Sequence, residues 1–313
     1  MALIGTIAPT DFGWYDYLSR RTSLDEVNFW TPSTHFAFRG EHFSPFLFKL
    51  KAPHNAICGF GYFARYSPLP DWLAWDCFGE GNGYQSLVSM RAKVAEIRQR
   101  MRYVETERLA EIGCIIVVNV SFFPRNEWVS QPTNWPVRNL RPMRYDLEQG
   151  EGARVWGECL DRALLYERAS AVQPAGVTKQ SRYGEPMLVR PRLGQGAFRV
   201  AVTDAYQRAC AVTGEHSLPA LEAAHIRPFA QEGPHVVNNG LLLRADLHRL
   251  FEQGYVGISP SNRLEVSERL RADYHNGKTY YPFQGNIVAL PEVETERPDP
   301  ELLRWHYENV FLG

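Results

Sequence analysis

The sequence predicts an α+β chain made of two units and a connecting segment. In the amino-terminal half, short β-rich runs broken by Gly and Pro alternate with amphipathic helical stretches. Residues 210–258 compress a strand, a long loop, a second strand and a helix into one unit. Between the two lies a stretch rich in Pro, Gly, Gln, Ser and basic residues. With 44% hydrophobic and 13% aromatic residues among 313, the chain has apolar material for more than one core. The expected division is a folded unit over 1–170, a linker over 171–194 and a second unit over 195–313.

The first unit opens on MALIGTIAPTDFGWYDY, read as a short helical segment without the basic start or cleavage pattern of a secretory signal. No apolar run is long enough to span a bilayer, so a cytoplasmic protein without membrane partners is expected. NFWTPS at 28–33, FAFRGEHFSPFLFKLK at 36–51 and AICGFGYFARYS at 56–67 read as strands of a twisted sheet or small barrel. A long amphipathic helix follows over 86–113, then the apolar strand CIIVVNVSFF at 114–123 and a helix over 153–169.

The second unit is CAVTGEHSLPALEAAHIRPFAQEGPHVVNNGLLLRADLHRLFEQGYVGI, residues 210–258. Leu221 to Ile226 reads as a strand, residues 227–240 as a loop, and residues 241–244 as a second strand. Residues 245–253 read as a helix, with Asp246 in its first turn and Gly254 as its stop. A loop that long needs something to hold its shape. Folding back brings His225 on the first strand towards His248 on the helix.

Phosphodiester hydrolysis needs a nucleophile made from water and a cation to stabilise charge on phosphate and leaving oxygen. A neutral imidazole suits the first task, and His225 is assigned as general base. Oxygen and nitrogen ligands suit the second, and His248 is assigned as a ligand of a hard divalent ion, Mg2+ or Mn2+. Asn239 completes the catalytic set by bridging backbone groups of the loop, since an amide both donates and accepts. Taken singly, His225 is an ordinary core histidine, His248 a helix-surface residue and Asn239-Gly240 a turn dipeptide. Their order within one strand–loop–strand–helix unit is what points to a nuclease.

These residues, in the succession AAHI, NGLLL and LHRLF, resemble the HNH, or ββα-metal, endonuclease superfamily over roughly the last third of the chain. The resemblance implies an aspartate metal ligand immediately before the first histidine, where this chain has Ala224. Side chains two apart on a strand share a face, so Glu222 is expected to supply the missing carboxylate. His235 in the loop is a further candidate ligand or phosphate contact. Some relatives brace the unit with zinc held by Cys-x-x-Cys pairs. Cys58, Cys77, Cys114, Cys159 and Cys210 form no such pair, so no structural zinc is expected, and the usage fits a reducing compartment.

In the amino-terminal unit, the succession NFWTPS, Phe-Lys-Leu-Lys, Gly-Phe-Gly-Tyr-Phe and LPDWLAWDCFGEGNG resembles the PUA-like superfamily, its EVE and SRA branches in particular. That implies a β-barrel with flanking helices holding a base that has left the duplex stack. Such a base is sandwiched by aromatic faces and read along its polar edge. Trp30, Ser33, Tyr62, Trp72, Trp75 and Asp76 give that mixture, although Trp and Phe in β-rich segments are mostly core.

Together the resemblances imply a modification-dependent endonuclease acting on double-stranded DNA that carries modified bases, most simply methylated or hydroxymethylated cytosine. The formal net charge of −1 means that positive charge must be local. Lys179, Arg182, Arg190, Arg192 and Arg199 supply it against Glu185 alone, with Arg138, Arg141 and Arg144 upstream. Arg182, Arg190, Arg192, Arg199 and His235 are the expected DNA-backbone contacts. Two alternatives stay open: a modified-DNA reader whose HNH module is inactive, suggested by Ala224, and a relatively unselective defence or toxin nuclease. One HNH site cuts one strand, so a homodimer is a possible route to a double-strand break. Beyond residue 280 an accessory strand and a packing helix are expected, with Trp305 and Phe311 as core anchors and His306 structural.

Overall fold

In the computed structural model of the chain the described residues are 2–21, 24–35, 37–101, 111–171 and 193–313, with 166–171 described as backbone only. They divide into two compact units, Met1–Ala197 and Phe198–Gly313.

The first unit runs β1 (Ile4–Thr10), α1 (Phe12–Ser19), β2 (Glu26–Thr31), β3 (Pro45–Leu50), β4 (Ala56–Pro70), α2 (Asp71–Phe78), α3 (Leu87–Arg100), β5 (Glu111–Phe122), β6 (Val129–Ser130), β7 (Met143–Asp146) and α4 (Gly150–Ala171). Its sheet follows the order β2-β5-β4-β3-β1-β7, with β6 added to β4. The β1–β3 pair is parallel and the others are antiparallel. Both faces are covered. One buries Ala8, Phe46, Phe48, Val117 and Phe63 with Trp14, Tyr15 and Leu18 of α1. The other buries Ile7, Leu47, Ile57 and Phe60 with Val155, Trp156 and Cys159 of α4. Strands covered on both sides lose the alternation of apolar and polar residues, which is why PFLFKL and CIIVV are almost continuously apolar.

Several expectations change here. Among the described residues β2 and β7 are not paired, so the expected barrel is an open mixed sheet, bent by register shifts at Phe48/Lys49, Phe60/Tyr62 and Phe63/Arg65. A strand, β1, precedes the opening helix where only a helical segment was expected, and both faces of the strand are packed. The strand expected over 36–51 is confined to Pro45–Leu50, since Phe43 takes a left-handed backbone conformation (φ 62°) that a regular strand does not allow. The helix expected over 86–113 is described as Leu87–Arg100, capped by Ser86. Residues 111–113 belong instead to β5.

The second unit contains most of α5 (Gln195–Ala205), then β8 (Leu221–His225), β9 (Gly240–Arg244), α6 (Ala245–Glu252), β10 (Val256–Ile258), β11 (Leu264–Val266), α7 (Arg269–Tyr274) and α8 (Pro300–Asn309). Phe198, Val202, Leu241, Leu242, Leu243, Leu247, Phe251 and Leu303 form its core. The strand expected beyond residue 280 reduces to a single bridge between Arg263 and Ile287. Trp305 and Phe311 are only half-buried. The positions of α8 that enter the core are Leu303 and His306, three residues apart on one helix face. The five cysteines are free thiols, and Cys58, Cys114, Cys159 and Cys210 are buried.

His306 stacks on Phe251 with ring centroids 3.7 Å apart, and its Nε2–H donates to the Phe251 carbonyl at 3.1 Å. Burial pushes its pKa down to about 4, with that hydrogen bond acting in the opposite sense. A histidine depressed on folding binds fewer protons in the native state than in the unfolded one between about pH 4 and 6.5. Its stabilising contribution is therefore complete above the unfolded value and is lost as pH falls through that window, by at most about 3 kcal/mol. Melting temperatures taken from pH 7 to pH 4.5 should fall more steeply for the native chain than for His306→Phe, and equal slopes would refute this account.

Candidate active site

β8 and β9 form a two-stranded antiparallel ribbon with His225 opposite Gly240 and Glu222 opposite Leu243. α6 follows β9 without a break and buries Leu247 and Phe251, one turn apart. The start of the helix is fixed by Arg244, whose guanidinium donates twice to Asp246 at 2.7 and 2.6 Å, and by the Tyr280 hydroxyl, which donates to the same carboxylate at 3.1 Å. Those donors, Arg244 first, hold the Asp246 carboxyl below its ordinary pKa.

Asn239 is fully buried. Its Nδ2 donates to the Arg227 and Pro234 carbonyls, its Oδ1 accepts from the Arg227 N–H, and all three distances are 2.9 Å. The backbone N–H of Ile226 donates to the Asn239 carbonyl, also at 2.9 Å. One side chain thus closes the loop between the strands and positions both its ends. Gly240 is extended here rather than part of a turn. It is needed for proximity, because a Cβ at this position would lie 2.3 Å from the Val202 side chain.

His225 projects from the end of β8 onto the face of Phe198, with centroids 3.8 Å apart and planes 11° from parallel. The His235 ring lies 5.2 Å away and packs edge-on against Phe229 at 4.6 Å. The His225 Nε2 is buried and has no hydrogen-bond partner among the described residues. Desolvation, followed by the charges of His235 and His248, pushes the pKa of His225 down to about 4. At neutral pH the ring is uncharged and offers a lone pair to an incoming proton donor.

His248 lies between two carboxylates: Nδ1 is 2.7 Å from Glu222 Oε2, and Nε2 is 3.3 Å from Glu252 Oε1. A neutral imidazole has only one N–H, so it bonds one of these two carboxylates and leaves its other nitrogen a lone pair. Among the described residues no three His, Cys, Asp or Glu side chains converge as a preformed metal cage. The site is a chain of donors, open at Glu222, whose side chain is 49% exposed. Carboxylate oxygen and imidazole nitrogen with access to water suit a divalent ion that keeps part of its hydration shell. Ala224 is fully buried in the core of the unit, whereas Glu222 reaches His248.

The structure therefore brings Glu222 to His248, and His225 to His235. Phe198, Phe229 and Glu252 were missed in the sequence; only Glu252 had a local signal, lying four residues beyond His248 on the helix. Arg199 is a half-buried residue of α5, while Lys179, Arg182, Glu185, Arg190 and Arg192 lie outside the described residues. Arg138 and Arg141 are exposed, and Arg144 donates to the Arg39 carbonyl at 2.6 Å.

Among the amino-terminal candidates, Trp30 on β2 donates through Nε1 to the Asn82 carbonyl at 3.0 Å, just beyond α2. Trp72, Trp75 and Asp76 are on α2, the two tryptophans half-buried and the aspartate exposed. Ser33 follows β2 and bonds His35 at 3.0 Å. Tyr62 does not join this group; it packs with Phe60 and Trp156 against α4. Next to Trp30, the fully buried Asn28 donates to Asn82 Oδ1 at 2.9 Å, and its own Oδ1 has no partner among the described residues.

Residues 210–259 match the model of the HNH endonuclease family. No curated protein matches the chain. Among solved structures, the ASCH protein from Zymomonas mobilis aligns at a TM-score of 0.31 with 7% identity, over 50% of this chain and 94% of its own. The modification-dependent TagI restriction endonuclease aligns at a TM-score of 0.29 with 11% identity, over 97% of this chain and 81% of its own. At these scores neither likeness bears on the activity.

Proposed function

We propose that this chain, a nuclease by virtue of the HNH endonuclease domain at residues 210–259, is a modification-dependent DNA endonuclease. The observation that carries the nuclease chemistry is the buried His225 Nε2, unpartnered among the described residues, at the end of a ribbon whose other functional pair is Glu222 and His248. His225 takes the proton from the attacking water, and Phe198 fixes its ring plane from behind. His235 stands beside it to contact the phosphate. Asn239 acts as a positioning residue that keeps the loop carrying His235 folded on the ribbon. Glu222 and His248 are the donors for a divalent ion, Mg2+ or Mn2+, which supplies charge stabilisation to phosphate and leaving oxygen.

Replacing Glu222 by Gln should raise the metal concentration needed for half-maximal activity by about tenfold or more while the fold is retained, since a ligand carboxylate is lost. A metal titration of cleavage tests this, and an unchanged midpoint removes Glu222 from the ligand set.

The reading side of the proposal rests on the amino-terminal motif succession and on Trp30, Ser33, Trp72, Trp75 and Asp76, which lie on or directly after β2 and α2. These residues offer stacking faces and polar edges to a flipped, modified cytosine. Recognition through one base accounts for DNA binding by a chain of net charge −1, with the basic stretch over 179–199 adding local backbone contacts. It also lets a host spare its own unmodified DNA. A single site cuts one strand, so a double-strand break needs two copies or two encounters. The deciding experiment is a cleavage panel of unmodified, methylated, hydroxymethylated and glucosylated DNA, with and without Mg2+ or Mn2+. Metal-dependent cutting confined to modified DNA supports the proposal, whereas equal cutting of unmodified DNA favours an unselective nuclease. Binding to modified DNA without cutting favours a reader with an inactive nuclease module.

A further inference from the structure

Next to the Glu222–His248 pair, α6, α7 and residues 276–280 enclose a cleft of about 540 Å³ that the hydrolytic chemistry leaves unused. We infer that this cleft seats a nucleotide of the substrate strand adjacent to the scissile phosphate; the inference rests on the nuclease reading above and adds a substrate subsite to it. Glu222 is a wall common to both, lining the cleft while its Oε2 meets His248. A strand whose phosphate reaches the catalytic pair therefore has an adjoining nucleotide at the cleft mouth. The volume falls within the roughly 300–1,000 Å³ typical of small-ligand sites.

The lining has the chemistry of a nucleotide. Arg249 on α6 and Gln253, which caps the end of that helix, line the cleft while Leu247 and Phe251 fill the core. The Arg249 guanidinium makes no ion pair or hydrogen bond among the described residues; the nearby Asp246 is taken by Arg244 and Tyr280. An unpaired guanidinium at a cleft rim suits phosphate. In the same lining, Tyr274 is 59% exposed. Tyr255 supports it edge-on, with ring centroids 5.4 Å apart and hydroxyls 3.4 Å apart. A braced aromatic face open to solvent is a stacking platform for a base. The side-chain amides of Gln253 and Asn276, without hydrogen-bond partners among the described residues, can donate to and accept from the base edge.

The test uses the full chain and reads binding and cutting separately. Binding of a short fluorescein-labelled DNA single strand is measured by anisotropy in EDTA, and steady-state cleavage is measured on the best DNA of the modification panel. Tyr274→Ala and Arg249→Ala should each weaken strand binding by about tenfold, as loss of a base stack or a phosphate contact does. In cleavage, both should raise KM with kcat retained. Tyr274→Phe, which keeps the ring, should restore most of the strand binding lost in Tyr274→Ala. Mapping the cut ends should show a base preference at one flanking position that Tyr274→Ala flattens. Unchanged strand binding and KM in both alanine variants overturn the cleft assignment. If the native chain cuts no DNA, the nuclease reading fails, while strand binding by the variants still decides the cleft.

Discussion

His225→Ala should lower kcat for DNA cleavage on the order of 10³-fold while leaving the melting profile and DNA binding close to native, in the range expected when a general base is removed. The imidazole is the only group at the end of β8 whose basic nitrogen is buried, uncharged at neutral pH and without a partner among the described residues. Phe198 would keep its place in the core, because it packs with Val202 and Leu241 as well as with the lost ring. The same residue fixes the acid limb of the pH profile. An unperturbed histidine would switch cleavage on around pH 6.5, whereas desolvation of His225 moves that limb to about pH 4. The base works only when deprotonated, so activity is present above the depressed value and disappears below it. With the divalent ion held saturating across the range, a log kcat/KM profile breaking near pH 6.5 would contradict the burial argument, and metal-dependent cutting at native rates in His225→Ala would remove the histidine from the chemistry altogether.

Asn239→Ala should cost about 2–4 kcal/mol of stability and lower the melting temperature by roughly 10 °C, because it strands one buried N–H and two carbonyls that have no ready replacement. Activity should fall as well, since the loop that brings His235 to within 5.2 Å of His225 is closed by this amide. Asn239→Asp tests which of the amide's hydrogen bonds matter. Its carboxylate can still accept from the Arg227 N–H but cannot donate to the two carbonyls. Denaturant unfolding and cleavage should both place it with the alanine variant. Native stability in Asn239→Ala would mean that the loop holds its shape by other means.

The active unit was legible in the sequence because its signals are local. Its ribbon, loop and helix emerge within a residue or two of the expected bounds, since apolar periodicity and the Asn-Gly and Gly breaks fall between neighbouring elements. What escaped was contact over distance in sequence. Phe198 precedes His225 by 27 residues and reaches it only through the packing of α5 on β9, and no spacing rule signals that. The role of Gly240 was misread for the same reason: the constraint comes from Val202 on another element. In the amino-terminal unit, β1 was missed and the barrel overstated because closure depends on which strands pair. The bulges that bend β4 leave little trace in the residues themselves. Tyr62 resembles a pocket residue by type, yet its face of β4 is roofed by α4.

The open sheet also bears on how copies of the chain could associate. Its outer strand β7 is only four residues long, Met-Arg-Tyr-Asp, and among the described residues pairs on one side alone. Short, charged borders are poor templates for strand addition. Self-association by extending this sheet past Asp146 is therefore disfavoured, so any assembly that severs both strands of a duplex would have to use some other surface.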